Sequence, residues 1–308
     1  MIKVGIIGGS NPMAGELLRL LINHPDVEIM WVNSARYAGR LLSDVHHGLL
    51  GETSLRISPT VDLDAIDVLF IFRNKGQTIE WLTDRMLPED LRIIDLSIDM
   101  QDPDTANEYG FVYGLPELNR KVLVRGATRT IVPLPRAAIS ALALLPLAKD
   151  EIIDHDIDIE VTPPHIDESP ESTPEELAAE IAYAIRELHP TFNGKIDIRD
   201  TDPVDDRVIS CRVSLPTAHD IGMLCRMYEE FYDDHNFVFI TNNAKPDTKE
   251  VEGTNKCLIY LDKQDGRLEV TAMMDAVLKG AAGTAVHDMN LLFGLHERTG
   301  LALKASRY

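Results

Sequence analysis

Apolar residues fall in short blocks along the first half of the chain, at Ile2–Ile7, Val27–Val32, Val68–Phe72 and Arg92–Leu96. Runs of this length with few polar interruptions mark strands covered on both faces, as in a parallel sheet. The first block is followed by Gly8-Gly9-Ser10-Asn11-Pro12 and then by Glu16-Leu17-Leu18-Arg19-Leu20-Leu21, which has helical composition. Strand, glycine turn and helix form the opening unit of a doubly wound sheet. Asn11 is placed to cap that helix and Pro12 to take its first position, where a missing N–H costs nothing. Further helices are predicted at Ala137–Lys149, Thr173–Leu188 and Ile221–Tyr232.

Past residue 150 the pattern changes. His155–Val161, Lys195–Arg199 and Arg207–Val213 alternate apolar and polar residues, as half-buried strands do. Ile166–Glu176 is acidic and carries two prolines, a loop leading into a helix capped by Ser172 or Thr173. The predicted fold class is α/β: a Rossmann-type doubly wound nucleotide-binding domain over residues 1–150, then an α+β domain over 151–279. A C-terminal helix at about 280–308 is expected to pack back on the first domain.

With 308 residues, 44% of them hydrophobic and 26% charged, the chain is long enough for two soluble cores. A net charge of −20 repels phosphate backbones, so nucleic acid is not an expected partner. No apolar run reaches the length that spans a bilayer, and the first strand begins at once, leaving no room for a signal peptide. The expected location is the cytoplasm, without a membrane partner. Cys211, Cys225 and Cys257 show no metal-ligand spacing and sit in apolar patterns, so they read as buried small hydrophobes and no metal is expected.

Several words of the sequence resemble one family. Tyr113-Gly114-Leu115-Pro116-Glu117-Leu118, Asp95-Leu96-Ser97-Ile98-Asp99, Gly253-Thr254-Asn255-Lys256-Cys257 and Asp275 to Gly283 are its motifs, as is Ala285 to Leu295. They are similar to those of the N-acetyl-gamma-glutamyl-phosphate reductases, aspartate-semialdehyde-dehydrogenase-like enzymes of arginine biosynthesis. The resemblance implies NADP-dependent reduction of an acyl phosphate to an aldehyde through a cysteine thioester, with a histidine as acid and base. It also implies a homo-oligomer, dimer or tetramer, built by the second domain.

The same resemblance exposes what has changed. Counting back without a gap from Leu144-Leu145-Pro146-Leu147-Ala148-Lys149 puts Pro135 at the nucleophile position, within Val132-Pro133-Leu134-Pro135-Arg136 where the family has Asn-Pro-Gly-Cys-aromatic. Proline carries no nucleophile. The match of Thr173-Pro174-Glu175 puts Ser172 where the histidine is expected, after a connection shorter by more than ten residues. His165 lies nearby as a substitute base or, more simply, as an ordinary loop histidine. Ala276 stands for a family asparagine of the cofactor region, and Gln101 for an arginine.

The expected cofactor contacts are Gly8, Gly9, Ser10, Asn11, Ser34, Arg36 and Gly76. Asn11-Pro12-Met13 replaces Gly-Tyr-Thr, adding a side chain and removing a donor where pyrophosphate would lie, so NADP binding is expected to be weak. Ser34 and Arg36 favour the 2′-phosphate of NADP, or belong to a solvated turn before a helix. Arg73 and Lys75 face the same choice between phosphate and solvent. The expected function is that of a non-catalytic paralogue, self-associating and assembling with an active reductase. The alternative is an oxidoreductase that uses NADP(H) without a covalent step.

Overall fold

The computed structural model describes residues 1–153, 155–165, 172–241 and 244–305. The chain divides into two compact units. The first comprises Met1–Pro133 and Ala281–Leu301; the second runs from Leu134 to Gly280 and takes in the residues from Ala302.

The first unit opens with β1 (Ile2–Ile7), α1 (Pro12–Leu21) and β2 (Val27–Asn33). It continues with β3 (Val68–Ile71), α2 (Gln77–Thr83), β4 (Arg92–Asp95), α3 (Pro103–Glu108), β5 (Val112–Tyr113), α4 (Pro116–Val124) and β6 (Arg129–Ile131). The strands form one sheet in the order β2-β1-β3-β4-β6-β5, with every neighbouring pair parallel. The four apolar blocks are the edge strand β2 and the inner strands β1, β3 and β4, and Val4, Ile6, Phe70, Ile93 and Ile94 are wholly buried. Strand order reverses direction between β1 and β3, the place where ligands settle in open parallel sheets.

The second unit begins with α5 (Pro135–Lys149), an Ala/Leu helix buried at every position except Arg136 and Lys149. It packs on the second sheet and on α6, and the second unit starts at Leu134, ahead of the expected boundary at residue 150. The remaining elements are β7 (Ile157–Thr162), α6 (Pro174–Arg186), β8 (Ile196–Asp200), β9 (Val208–Pro216), α7 (Ile221–Tyr232), β10 (Val238–Ile240), α8 (Thr248–Val251), β11 (Cys257–Gln264) and β12 (Arg267–Asp275). Their sheet runs β10-β11-β12-β9-β7-β8, antiparallel in the middle with a parallel pair at each edge. Burial alternates along β7, β9 and β12, which is the period-two pattern of the sequence.

Pro146 lies inside α5 and cannot donate to the carbonyl of Leu142. The hydroxyl of Tyr232 donates to that oxygen at 2.5 Å, and Tyr228 donates to the next carbonyl, of Ala143, at 2.6 Å. Two tyrosines of α7 thereby satisfy the helix where proline breaks its ladder. At the other end of the unit, Thr173 rather than Ser172 caps α6, exchanging bonds with Glu176 at 3.2 and 2.8 Å. The acidic stretch 166–171 of the expected loop lies outside the described residues.

The last helix, α9 (Gly283–Leu292), belongs to the first unit and packs against α1, α4 and β4. All its residues are buried, including polar ones. His287 Nε2 lies 2.7 Å from Glu297 Oε2, and Arg120 pairs with the other oxygen of Glu297. Asn290 meets His24 Nε2 at 3.1 Å and donates to the carbonyls of Glu297 and Thr299. A helix buried all round can carry such groups only because each finds a partner. Among the described residues no helix is long and apolar enough to cross a membrane.

Candidate functional site

The glycine turn closes β1 against its neighbours. Gly8 has φ of +77°, and a Cβ on it would lie 1.7 Å from the carbonyl oxygen of Phe72. A Cβ on Gly9 would lie 2.1 Å from Val32 Cγ1, so both positions need glycine for the turn to sit between β2 and β3. Asn11 caps α1 through its side chain, which accepts from the N–H of Met13 at 2.8 Å, and Pro12 takes the first helical position. Several donors of the turn are bonded within the protein. Gly9 N–H bonds Asn33 O, Asn11 N–H bonds Gly8 O, and Gly15 N–H bonds Asn11 O. Pro12 has none to offer. His46 adds a further tie, with Nε2 2.7 Å from the carbonyl of Gly9.

Beside this turn, Ser10 Oγ and Ser34 Oγ lie 3.0 Å apart, so those two expected contacts do come together. Arg36 is exposed in a short 3₁₀ turn after β2, and its guanidinium stands 5.2 Å from the centre of the Tyr37 ring. Arg40 approaches the same ring at 5.6 Å, and Arg56 Nη1 bonds the carbonyl of Gly39 at 2.8 Å. Three arginines are thus gathered on one turn of a strongly acidic protein. Sequence reasoning found only Arg36, because Arg40 and Arg56 reach Tyr37 and Gly39 through the fold of the connection.

Gly76, the remaining expected contact, starts α2 in the left-handed conformation. Its N–H goes to Asp99 Oδ1, while Oδ2 of Asp99 accepts from Thr78 at 2.7 Å and Ile79 at 3.3 Å. The helix end that an anion would use is occupied by this carboxylate. Asp95, in the same family word, is wholly buried, with Ser97 Oγ donating to it at 2.8 Å. Burial pushes its carboxyl up to about 7, against the opposing pull of the Ser97 bonds. Arg73 is half-buried and held below its ordinary value by burial and by Arg85. Gln101 donates to the carbonyl of Val132 at 2.9 Å.

In the second unit, Pro135 is the first residue of α5 and is buried. A proline there lacks both a nucleophile and the N–H that would stabilise an oxyanion. A Cβ on Gly280 would lie 3.0 Å from Pro135 Cβ, so the ring fills the space in front of that glycine. Leu134 is buried as well, and its N–H donates to Glu180 Oε1 at 3.1 Å. Ser172 is half-exposed ahead of the α6 cap, and His165 is exposed, its main-chain N–H bonded to Asp205 O at 2.8 Å. Glu180 escaped the sequence reading, although a glutamate in the apolar stripe of Leu177, Ile181 and Ala184 was the signal for it.

The cysteines lie in β9, α7 and β11. Cys211 is buried beside Ser140 and its thiol is pushed up to about 12 by burial, far from a usable thiolate. Cys257 is buried too. Cys225 is half-buried instead of buried, because amphipathic α7 turns Leu224, Met227 and Tyr228 inward and leaves position 225 at the margin.

Both units contain stretches that match domains of the semialdehyde dehydrogenase class. Residues 3–125 match the semialdehyde dehydrogenase NAD-binding domain and residues 207–276 the semialdehyde dehydrogenase dimerisation domain. The chain belongs to the N-acetyl-gamma-glutamyl-phosphate reductase family: it is 40% identical to the reductase of Parabacteroides distasonis and 39% identical to that of Bacteroides thetaiotaomicron, over 100% of each chain. Both matches extend over 326 positions, against 308 residues here. Aspartate semialdehyde dehydrogenase II of Vibrio cholerae, complexed with ASA, has the same fold, with a TM-score of 0.72 at 13% identity over 96% of this chain and 98% of that one. A probable aspartate-semialdehyde dehydrogenase of Pseudomonas aeruginosa gives 0.71 at 16%, over 95% and 98%.

Proposed function

We propose that this chain is a non-catalytic member of its family that works by assembly. Its role is to associate with copies of itself and with an active reductase of the arginine pathway. The observation that carries this reading is Pro135 at the first position of α5, where neither a nucleophile nor an N–H is available. Cys211, Cys225 and Cys257 offer no substitute, with the first locked in the core and the second raised by burial.

The second sheet supports the assembly half of the reading. Helices α5, α6 and α7 pack along one face of it. On the open face Glu160 binds Arg199 and Arg212, and Tyr260, Thr271 and Met273 lie among these charges, half-buried. A face of mixed charge and apolar side chains can meet a second copy of itself about a two-fold axis. Light scattering at micromolar concentration should give at least a dimer, through strands between about Ile157 and Met273. Mixing with the active reductase from the same cell should give hetero-oligomers. A stable monomer would refute this function.

A nicotinamide dinucleotide fits the site at one end and not the other. Arg36, Arg40 and Arg56, with Ser10 and Ser34, suit the ribose and 2′-phosphate of NADP. At the glycine turn, the N–H groups of Gly9, Asn11 and Met13 are already bonded within the protein, and Pro12 has none to give a pyrophosphate. Bound there, NADPH would supply a hydride; this chain's own residues would only hold its adenosine end. Calorimetry should therefore give weak binding, with NADP ahead of NAD and the difference lost in Arg36→Gln. Low-micromolar NAD binding with NADP weaker would reverse that assignment. The arginines also favour the second reading, an NADP(H) enzyme without a thioester, which needs hydride transfer to a carbonyl compound that does not depend on phosphate.

A further inference from the structure

Residues 95 to 99 form a hydrogen-bonded chain under the start of α2. Asp95 ends β4, Ser97 follows two residues later, and both are wholly buried. The hydroxyl of Ser97 donates to Asp95 Oδ2 at 2.8 Å, and its N–H donates to Oδ1 at 3.2 Å. The same hydroxyl oxygen accepts from the N–H of Asp99 at 3.3 Å. Asp99 in turn accepts from the N–H groups of Gly76, Thr78 and Ile79, at the first turn of α2. One serine thereby links a buried acid to the cap of a helix.

A covered carboxyl keeps its charge at low cost only beside a cation or several donors. Among the described residues, the hydroxyl and N–H of Ser97 are the groups that bond Asp95. The cations nearby are engaged elsewhere. Arg92, on β4, stands over the Phe293 ring at 4.1 Å, and Arg129, on β6, donates to the carbonyl of Tyr109 at 2.7 Å. Arg73, after β3, interacts with Asp99, Glu80 and Arg85, and Lys75 in the same loop is exposed. On α9, His287 meets Glu297 and Asp288 lies against Gly114. The charged group that acts on Asp95 is Asp99, and it acts by repulsion. Burial first, and then that repulsion, hold the carboxyl at about 7 against the pull of the Ser97 bonds.

We propose that Asp95, Ser97 and Asp99 form a proton-sensitive latch on the first turn of α2. With a proton on Asp95, the buried end of the chain is neutral and Asp99 caps the helix. Loss of that proton puts a carboxylate on each side of Ser97, and their repulsion loosens the bonds that Asp99 accepts. The start of α2 therefore opens more often as pH rises through neutrality. The latch lies within the first unit and rests neither on assembly nor on position 135.

The test follows amide hydrogen exchange of a peptide spanning residues 74–83 in the full-length chain, at about pH 6 and about pH 8, corrected for the intrinsic pH dependence of exchange. Wild-type protection should fall roughly three- to tenfold between the two, while a peptide from α1 keeps its protection. In Asp95→Asn, which carries no charge at either pH, the fall should be absent. Linkage supplies a second readout. The proton is bound more tightly in the folded chain, so its stabilisation is full below about pH 4 and is lost as pH rises to about 7. Relative to Asp95→Asn, the wild-type unfolding constant in urea should rise by up to about tenfold per pH unit across that window and level off above it. Equal wild-type protection at the two pH values would overturn the proposal, and that outcome needs no variant to fold. So would an equal fall in Asp95→Asn, which would assign the effect to another titrating group.

Discussion

No phosphate-dependent oxidation of N-acetylglutamate semialdehyde with NADP is expected from the purified chain. Relative to a member that carries the cysteine, turnover should be lower by at least ~10⁴-fold, because removing a covalent nucleophile leaves only binding and electrostatic contributions. The measurement is NADPH formation in the presence of phosphate, repeated on a chain in which Cys211, Cys225 and Cys257 are all replaced. Turnover that survives this replacement would show a route to product that avoids every thiol in the protein. Pro135→Cys alone should stay within about tenfold of that background. Leu134 still presents a buried side chain before the new thiol, Glu180 still sits on the N–H of Leu134, and Ser172 supplies no base. A single substitution that approached ordinary enzyme turnover would refute the view that several parts of the site were lost together.

Asp275→Ala should be among the most damaging single changes to the fold, at about 3–5 kcal/mol. Asp275 ends β12 and is wholly buried. One oxygen accepts from the N–H groups of Val277 and Leu278, each at 3.0 Å, and the other from Gly253 N–H at 2.9 Å. Arg207 bonds both, with Nε 3.1 Å from Oδ2 and Nη2 3.3 Å from Oδ1. Alanine would leave three main-chain donors and a guanidinium without their acceptor, and no water reaches a fully covered position cheaply. Asp275→Asn retains one acceptor oxygen but turns an N–H₂ toward donors, so it should cost less, about 1–3 kcal/mol. Urea denaturation followed by circular dichroism would check both values. A loss under about 1 kcal/mol for Asp275→Ala would mean that the carboxylate is not what ties the end of β12 to Gly253 and Arg207.

Much of the architecture was legible along the chain. The four apolar blocks became β1 to β4, the α1 cap formed at Asn11 with Pro12 next to it, and α7 spans Ile221–Tyr232 as its periodicity predicts. These features were readable because each depends on residues within one or two turns of each other: covered strands demand continuous apolar runs, and caps demand a particular side chain beside the first turn. Short β5 and β6, of two and three residues, were missed for the converse reason. Their strand character comes from pairing with β4 and with each other, and not from any run of their own.

The site divided along the same line. That residue 135 carries no nucleophile follows from its type alone, since no arrangement of neighbours gives proline a reactive atom. The family was readable from contiguous words such as Tyr113 to Leu118 for a similar reason. Whether a donor is free is a different kind of fact. Gly9 N–H is taken by Asn33, the α2 terminus by Asp99 from 20 to 23 residues away, and Leu134 N–H by Glu180 from 46 residues away. Likewise, Tyr228 and Tyr232 reach the carbonyls around Pro146 from 85 and 90 residues along the chain. A hydrogen bond needs its partners within about 3 Å, and only the packed chain decides which distant groups come that close. The sequence thus determined the class of fold and the chemistry that residue 135 can offer; the tertiary structure decided which distant groups bond the glycine turn, the α2 terminus and Leu134.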